Sequence, residues 1–156
     1  MKTEVFIHPM AEVKTNQIGS GTTIWQCAIV LEGAVIGERC NINAHTFIED
    51  EVIIGNDVTI KCGVYIWNRT RIEDEVFVGP NVTFTNEKYP RSKNFSDVCS
   101  GPILKRGCSI GANATILPDL IIGENAMVGA GSVVTQNVPK DAWVVGNPAR
   151  IVIRKE

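Results

Sequence analysis

Aliphatic side chains recur at every sixth position along most of this chain, and that spacing restricts the fold more than any other feature of the sequence. The register opens at Ile18 and passes through Ile24, Val30, Ile36, Ile42, Ile48, Ile54, Ile60, Ile66, Ile72, Val78 and Phe84 without a polar interruption. A second series, Leu104, Ile110, Ile116, Ile122, Val128 and Val134, follows an insertion, with its phase shifted by two residues. Four residues after each large side chain comes a second one, mostly small or β-branched, from Thr22, Ala28 and Ala34 to Ala126, Ser132 and Val138. A helix would need spacings of three and four, and an antiparallel strand would alternate by two over one run and then turn. Neither fits. A six-residue unit with one large and one small inward residue fits a short flat strand plus a tight bend, three of which close a triangular coil of about eighteen residues. Gly19, Gly37 and Gly55 mark a repeated bend, where glycine supplies a positive φ or a close backbone approach.

Stacked coils pair each strand with its copy one turn away, ~4.8 Å along the axis, and bury the aliphatic columns as a continuous core. The two series make six coils, and His8 to Gln17 add a less regular first one. The expected fold is all-β: a parallel β-helix forming one domain over 1–156, with an inserted loop at about 85–103 and a C-terminal cap at about 139–156. Spacing leaves the hand open, although the general crossover rule favours a right-handed one.

Charge and cysteine content exclude several classes. Fifteen Lys and Arg against seventeen Asp and Glu give a net charge of -2, so no basic field exists to hold nucleic acid or anionic lipid. No apolar run approaches the ~20 residues needed to span a bilayer, and MKTEVFIHPM lacks a signal-peptide core, so the expected location is cytoplasmic, with neither a membrane nor a nucleic acid as partner. Five cysteines without a C-x-x-C signal neither a disulfide framework nor a zinc site and read as reduced thiols, mostly core fillers. No metal is expected, since a three-histidine centre needs more than His8 and His45.

Chemistry concentrates where the repeat is interrupted. Asn86 follows Phe84 by two residues, where the aliphatic ladder stops, and Asn68 occupies the same place one coil earlier. The two should stack at one corner, either satisfying bends or meeting a substrate. Histidine is the side chain suited to proton exchange near neutrality, and His45, in INAHT, is a candidate to take a proton or hold a hydroxyl. His8, before Pro9, reads as structural. Within the insertion, Arg91 suits a diphosphate, Tyr89 or Phe95 suits a nucleotide base, and Lys88 and Lys93 add charge. Trp25 and Trp67 each follow an inward residue and should face outward, as an interface or a ligand platform.

Units such as IIGNDV, SIGANA, IIGENA and MVGAGS resemble those of the hexapeptide-repeat acyltransferases, and the likeness covers nearly the whole chain. The stretch Gly111 to Val152 resembles the acyl-CoA-dependent members, and VFVGPNVTFTNEKYPRSK, Val76 to Lys93, resembles the N-acetyltransferases acting on a nucleotide-linked 3-amino deoxy sugar. The resemblance implies a left-handed β-helix, a homotrimer with sites in its clefts, and acetyl-CoA as the donor. It supports a catalytic role for Asn86, which matches the Asn of the subgroup's TN, beside the candidates read from the residues themselves: His45 as a second catalytic group and Asn68, Trp67, Tyr89 and Arg91 as substrate contacts. Coenzyme A contacts are implied at Ala112 and Ala130, and at Asn147, Pro148 and Arg150 in the VGNPAR motif, with Arg154 and Lys155 nearby for phosphates. The same motif also reads as a cap on the last coil. Sugar O-acetyltransferases of this fold carry a His-Pro in the loop where this chain has Tyr89-Pro90, which points to an amine acceptor.

The implied function is acetyl transfer from acetyl-CoA to the amine of a dTDP- or UDP-linked 3-amino deoxy sugar, for surface polysaccharide. The alternatives are another amine or hydroxyl acceptor, a longer acyl group, or a non-catalytic scaffold.

Overall fold

The computed structural model describes residues 4–94 and 100–153, so the expectations placed on Phe95, Arg154 and Lys155 fall outside it, as does Cys99. The described strands are two or three residues long and no described residue is helical. They stack into three sheets of nine, seven and five strands, the flat faces of a parallel β-helix. Face one carries Asn41–Ile42 and Thr59–Ile60, face two Phe47–Ile48 and Tyr65–Ile66, face three Ile53–Ile54 and Arg71–Ile72. Ile42 pairs with Ile60, Ile48 with Ile66 and Ile54 with Ile72, each one coil apart in parallel register.

Every large residue of the two series is buried except Ile18, which is half-buried in the open first coil. The second inward series is buried too, apart from the half-buried Leu120. Each aliphatic side chain removed from water contributes about 1.5–3 kcal/mol, so this column supplies the main stabilising term. Its buried hydroxyls are bonded: Thr22 donates to the Gly37 carbonyl at 2.8 Å, Thr46 to Asn43 at 2.6 Å and Thr70 to Trp67 at 2.7 Å.

The bends are made mostly by residues other than glycine. Cys27, His45, Glu51, Asp57, Arg69, Glu75 and Asn81 all lie in the left-handed region, with φ between 56° and 61°. That conformation costs roughly 1–2 kcal/mol per residue. A hydrogen bond one coil down offsets about 0.5–1.5 kcal/mol of it: His45 N–H donates to Gln26 at 3.3 Å, Asp57 to Glu38 at 2.8 Å and Glu75 to Asn56 at 2.9 Å. Gly19, Gly37 and Gly55 are not among the positive-φ residues; a Cβ on Gly37 would lie 2.4 Å from the Gly55 carbonyl oxygen. Of the two reasons for glycine here, close backbone approach is the one that holds.

The first coil begins earlier than His8, because Phe6–Ile7 already pairs with Thr23–Ile24. His8 braces its first turn, with Nδ1 accepting from Met10 N–H at 3.1 Å. The insertion is narrower than 85–103. Thr85 N–H donates to Ile116 at 3.1 Å, the Ser100 carbonyl accepts from Asp119 and the Pro102 carbonyl from Arg71, both at 3.1 Å. Ile103 pairs with Arg71 in face three. The excursion therefore spans 86–99, and both its ends stand on one corner of the prism.

At the C-terminal end Trp143–Val145 continues face one, and Arg150–Val152 folds back on it antiparallel. The turn between them has a cis Asn147–Pro148 bond and lies across the end of face two. Ala149 N–H donates to the Val133 carbonyl at 2.8 Å, and Val133 N–H donates to Gly146 at 2.9 Å. Both edge groups of Val133 are thereby satisfied, so VGNPAR does cap the last coil.

Replacing Ile66 by Asp is expected to abolish folding, because an unpaired carboxylate in this core costs several kcal/mol. Circular dichroism of the purified variant checks this; an unchanged thermal midpoint would contradict the inward register.

Candidate functional site

Because each coil repeats the last, residues one coil apart form straight columns along the corners. At the corner between faces one and two the left-handed residues are Cys27, His45, Asn81 and Asn113, with Gly63 and Gly131 in the same column. The column before the bend changes character along its length: Trp25, Asn43 and Lys61 give way to Gly79, Gly111 and Gly129. At Gly111 a Cβ would meet the Ala130 backbone nitrogen at 2.5 Å, and at Gly79 it would meet that of Ala112 at 2.8 Å. Here the corner is almost bare backbone, with half-buried Ala112 and exposed Ala130 beside it. Both residues expected to touch coenzyme A thus share one track, which ends under the VGNPAR turn. Asn147, Pro148 and Arg150 are exposed there, and Arg150 borders a cleft of about 360 Å³ with Gln136 and Asn137.

The corner between faces two and three holds the other expected group. Asn68 and Asn86 do stand one coil apart there, Asn86 being the first residue to leave the ladder. Asn68 N–H donates to the Glu49 carboxylate at 2.8 Å. Its side-chain Oδ1 is buried and has no hydrogen-bond partner among the described residues. A buried acceptor left unpaired costs about 1–3 kcal/mol, so one that persists is a place for an arriving donor. In the loop, Tyr89 is 80% exposed, with Lys88 Nζ 5.9 Å from its ring centroid. Arg91 forms an isolated bridge with Asn94, and its guanidinium donates to the Pro90 carbonyl at 2.9 Å, leaving the rest of the fork in solvent.

Between the two corners, over face two, runs a groove of about 380 Å³ lined by Cys27, Ile29, His45, Phe47, Tyr65 and Trp67. Trp67, expected to face outward, is half-buried because its indole N–H folds back to the Phe84 carbonyl at 2.8 Å. Trp25 remains 40% exposed, its indole bonded to Asn41 at 2.8 Å. His45 and Asn86 occupy different corners of the chain, with this groove between them. Phe47 and Tyr65 went unremarked in the sequence, although their one-coil spacing on face two was a readable signal.

A wider cleft of about 620 Å³ over face three carries little chemistry. Its charged groups are already engaged: Lys105 sits 2.6 Å from Glu73, Arg106 pairs with Glu75, Arg71 donates to the Thr70 carbonyl at 3.1 Å and Asp74 accepts from Asn56 N–H at 2.8 Å. Lys105 holds the Glu73 carboxyl below its usual range, and Arg39 does the same to Asp57 one coil earlier on the same corner. Among the described residues, no group of three or more His, Cys, Asp or Glu could hold a metal ion, and no helix is long and apolar enough to cross a membrane.

The cysteines divide by burial. Cys40 and Cys108 are buried, Cys27 is half-buried and Cys62 is exposed, so core filling accounts for only part of the set. Burial raises the Cys40 thiol and pushes that of Cys108 up to about 12. In the folded protein at pH ~8, Cys62 should alkylate readily, while Cys40 and Cys108 react only after denaturation. Peptide mapping by mass spectrometry checks this, and native labelling of Cys108 would contradict the packing.

The sequence signature described as bacterial transferase hexapeptide (six repeats) matches residues 51–86 and 101–136. A dTDP-3-amino-3,6-dideoxy-alpha-D-galactopyranose 3-N-acetyltransferase of Aneurinibacillus thermoaerophilus is 55% identical over 146 residues, 94% of this chain and 76% of the relative. Among solved structures, a Bacillus cereus protein superimposes with a TM-score of 0.68 at 23% identity, covering 97% of this chain and 78% of its own, a likeness of fold. A hexapeptide-repeat acetyltransferase of Vibrio cholerae, solved with acetyl-coenzyme A, gives 0.60 at 26% identity, covering 85% of this chain and 70% of its own.

Proposed function

We propose, since this chain belongs to the bacterial transferase hexapeptide family, that it transfers an acetyl group from acetyl-CoA to the amine of a dTDP-linked 3-amino deoxy sugar. The observation that carries the reading is the extent of the Aneurinibacillus match, which spans the inserted loop as well as the glycine track. The bare corner at Gly79, Gly111 and Gly129 suits a pantetheine arm approaching backbone amides, with Ala112 and Ala130 alongside. Asn147, Pro148 and Arg150 then meet the nucleotide end of coenzyme A. Its product enters surface polysaccharide, and the protein works in the cytoplasm as a homotrimer whose clefts bring one copy's glycine track to the next copy's loop corner.

The chemistry asks little of the protein. An alcohol needs a general base because its pKa lies far above 7, whereas a sugar amine loses its proton near neutrality. The neutral nitrogen attacks the thioester carbon, the resulting oxyanion is held by backbone donors, and the carbon–sulfur bond breaks. The departing thiolate, with a thiol pKa of ~8.5, takes the proton released by nitrogen. Asn86 accepts from the amine and orients it, the unpaired Oδ1 of Asn68 receives a substrate donor, and Trp67 walls the approach. His45 assists proton removal without being obligatory, and Arg91 forks onto the diphosphate.

Asn86→Ala should lower turnover by roughly 10²-fold, the scale of a lost orienting contact, with coenzyme A affinity nearly unchanged. A coupled thiol-release assay with acetyl-CoA and a panel of dTDP- and UDP-amino sugars measures it. Wild-type turnover in the variant would reduce Asn86 to a bend residue.

Activity should also rise with pH through the amine's own titration and stay high in mildly alkaline solution, where an essential histidine would set a limb near pH ~6.5. A phenol is a poor base at neutrality, so Tyr89→Phe should leave the profile of kcat/KM intact. Collapse of that variant at every pH would return the catalytic role to the loop.

A further inference from the structure

We propose that the groove over face two seats the pyrimidine base of the nucleotide, so that the acceptor lies along the β-helix with its base on the Phe47 and Tyr65 coils and its amine one coil further, at Asn86. This rests on the reading that the acceptor is a nucleotide-linked sugar, and it places the base on Tyr65 instead of Tyr89.

The lining decides what the groove can hold. None of Cys27, Ile29, His45, Phe47, Tyr65 and Trp67 carries a formal charge with the imidazole neutral, so a diphosphate finds no fixed cation there and a neutral planar ring does. The three aromatic centroids stand 5.8 to 6.3 Å apart with interplanar angles of 55° to 80°. Rings tilted this steeply meet edge to face and do not stack in parallel, which leaves a face free for one more ring; Tyr65 is 53% exposed. The volume of about 380 Å³ lies at the small end for ligand sites and suits one base with part of its sugar.

A polar group is placed for the base edge. The Tyr65 hydroxyl makes no hydrogen bond among the described residues and can donate or accept. A pyrimidine edge presents both an N–H and carbonyl oxygens. Trp67 is different: its N–H is taken by the Phe84 carbonyl, which fixes the indole as a wall and ties the groove to the strand end two residues before Asn86. Tyr89, by contrast, is 80% exposed, with the Lys88 ammonium 5.9 Å from its ring centroid.

The test is equilibrium binding of dTDP by calorimetry to the wild type and to Phe47→Ala, Tyr65→Ala and Tyr65→Phe, with inorganic pyrophosphate and coenzyme A as separate ligands. Each alanine variant should bind dTDP about tenfold more weakly, the scale of one lost base stack. Coenzyme A and pyrophosphate should bind as before, and thermal midpoints should hold, since both side chains point away from the core. Tyr65→Phe should lose a few-fold only. With a dTDP-amino sugar, KM should rise by the same factor in the alanine variants while kcat stays level. Wild-type dTDP affinity in both alanine variants overturns the inference, as does a shift to smaller species in sedimentation velocity with dTDP binding intact, which would make the rings a contact between copies. Ring-dependent dTDP binding by a wild type that acetylates no dTDP-amino sugar would leave the base site standing and remove the proposed reaction.

Discussion

Parallel pairing between each strand and its copy one coil away governs everything else in this molecule. The backbone bonds fix the register, and the register brings Ile42 over Ile60 and Ile48 over Ile66, so one choice of spacing builds both the ladder and the core. Side-chain burial is the larger favourable term, because each left-handed bend costs about as much as its inter-coil hydrogen bond returns. The glycines serve the same pairing: at Gly37 and Gly111 the coils approach too closely for a Cβ.

A lattice this regular makes departures from the repeat conspicuous, and the candidate site consists of them. Along one corner the side chains thin out from Trp25, Asn43 and Lys61 to Gly79, Gly111 and Gly129, leaving exposed backbone where a long flexible acyl carrier can lie. At the next corner the chain leaves the ladder at Asn86. The face between them bears aromatic rings on its lower coils and Thr83, Thr115 and Val133 above. Glycine track, loop corner and aromatic groove are thus three neighbouring strips of one prism. The ion pairs of Glu73, Glu75 and Asp57 lie elsewhere and brace the solvated corners.

The core was legible because inward positions announce themselves by chemistry: eighteen aliphatic or aromatic residues in two phases, all but Ile18 buried. Outward positions carry no such constraint, so the repeat does not set Phe47 and Tyr65 apart from other outward residues although they share a column. Trp67 was placed by its parity and not by its indole, which bends back to a carbonyl at the interrupted strand. The ends of the loop were blurred for a similar reason. Gly101 and Pro102 are buried in the ladder yet look like loop residues, since their place in it rests on backbone contacts with Thr70 and Arg71. Asn68 was found by its spacing from Asn86, and Asn86 by its place at the end of the ladder and by resemblance, but the unpaired acceptor on Asn68 becomes visible only in three dimensions.

Both feet of the inserted loop stand in register, and this bears on how the protein can change. Arg71 pairs with Ile53 on one side and with Ile103 on the other, so the excursion lengthens the ring to be closed without altering either partner. Closure entropy grows only logarithmically, and that lengthening costs about 0.5 kcal/mol, less than one buried methyl group. Loops of other lengths and compositions are therefore nearly free to be tried at this corner, while the glycine track at the neighbouring corner, across face two, keeps its geometry. A β-helix of this kind can vary its loop and hold its glycine track constant, because the two are written into parts of the ladder that do not share strain.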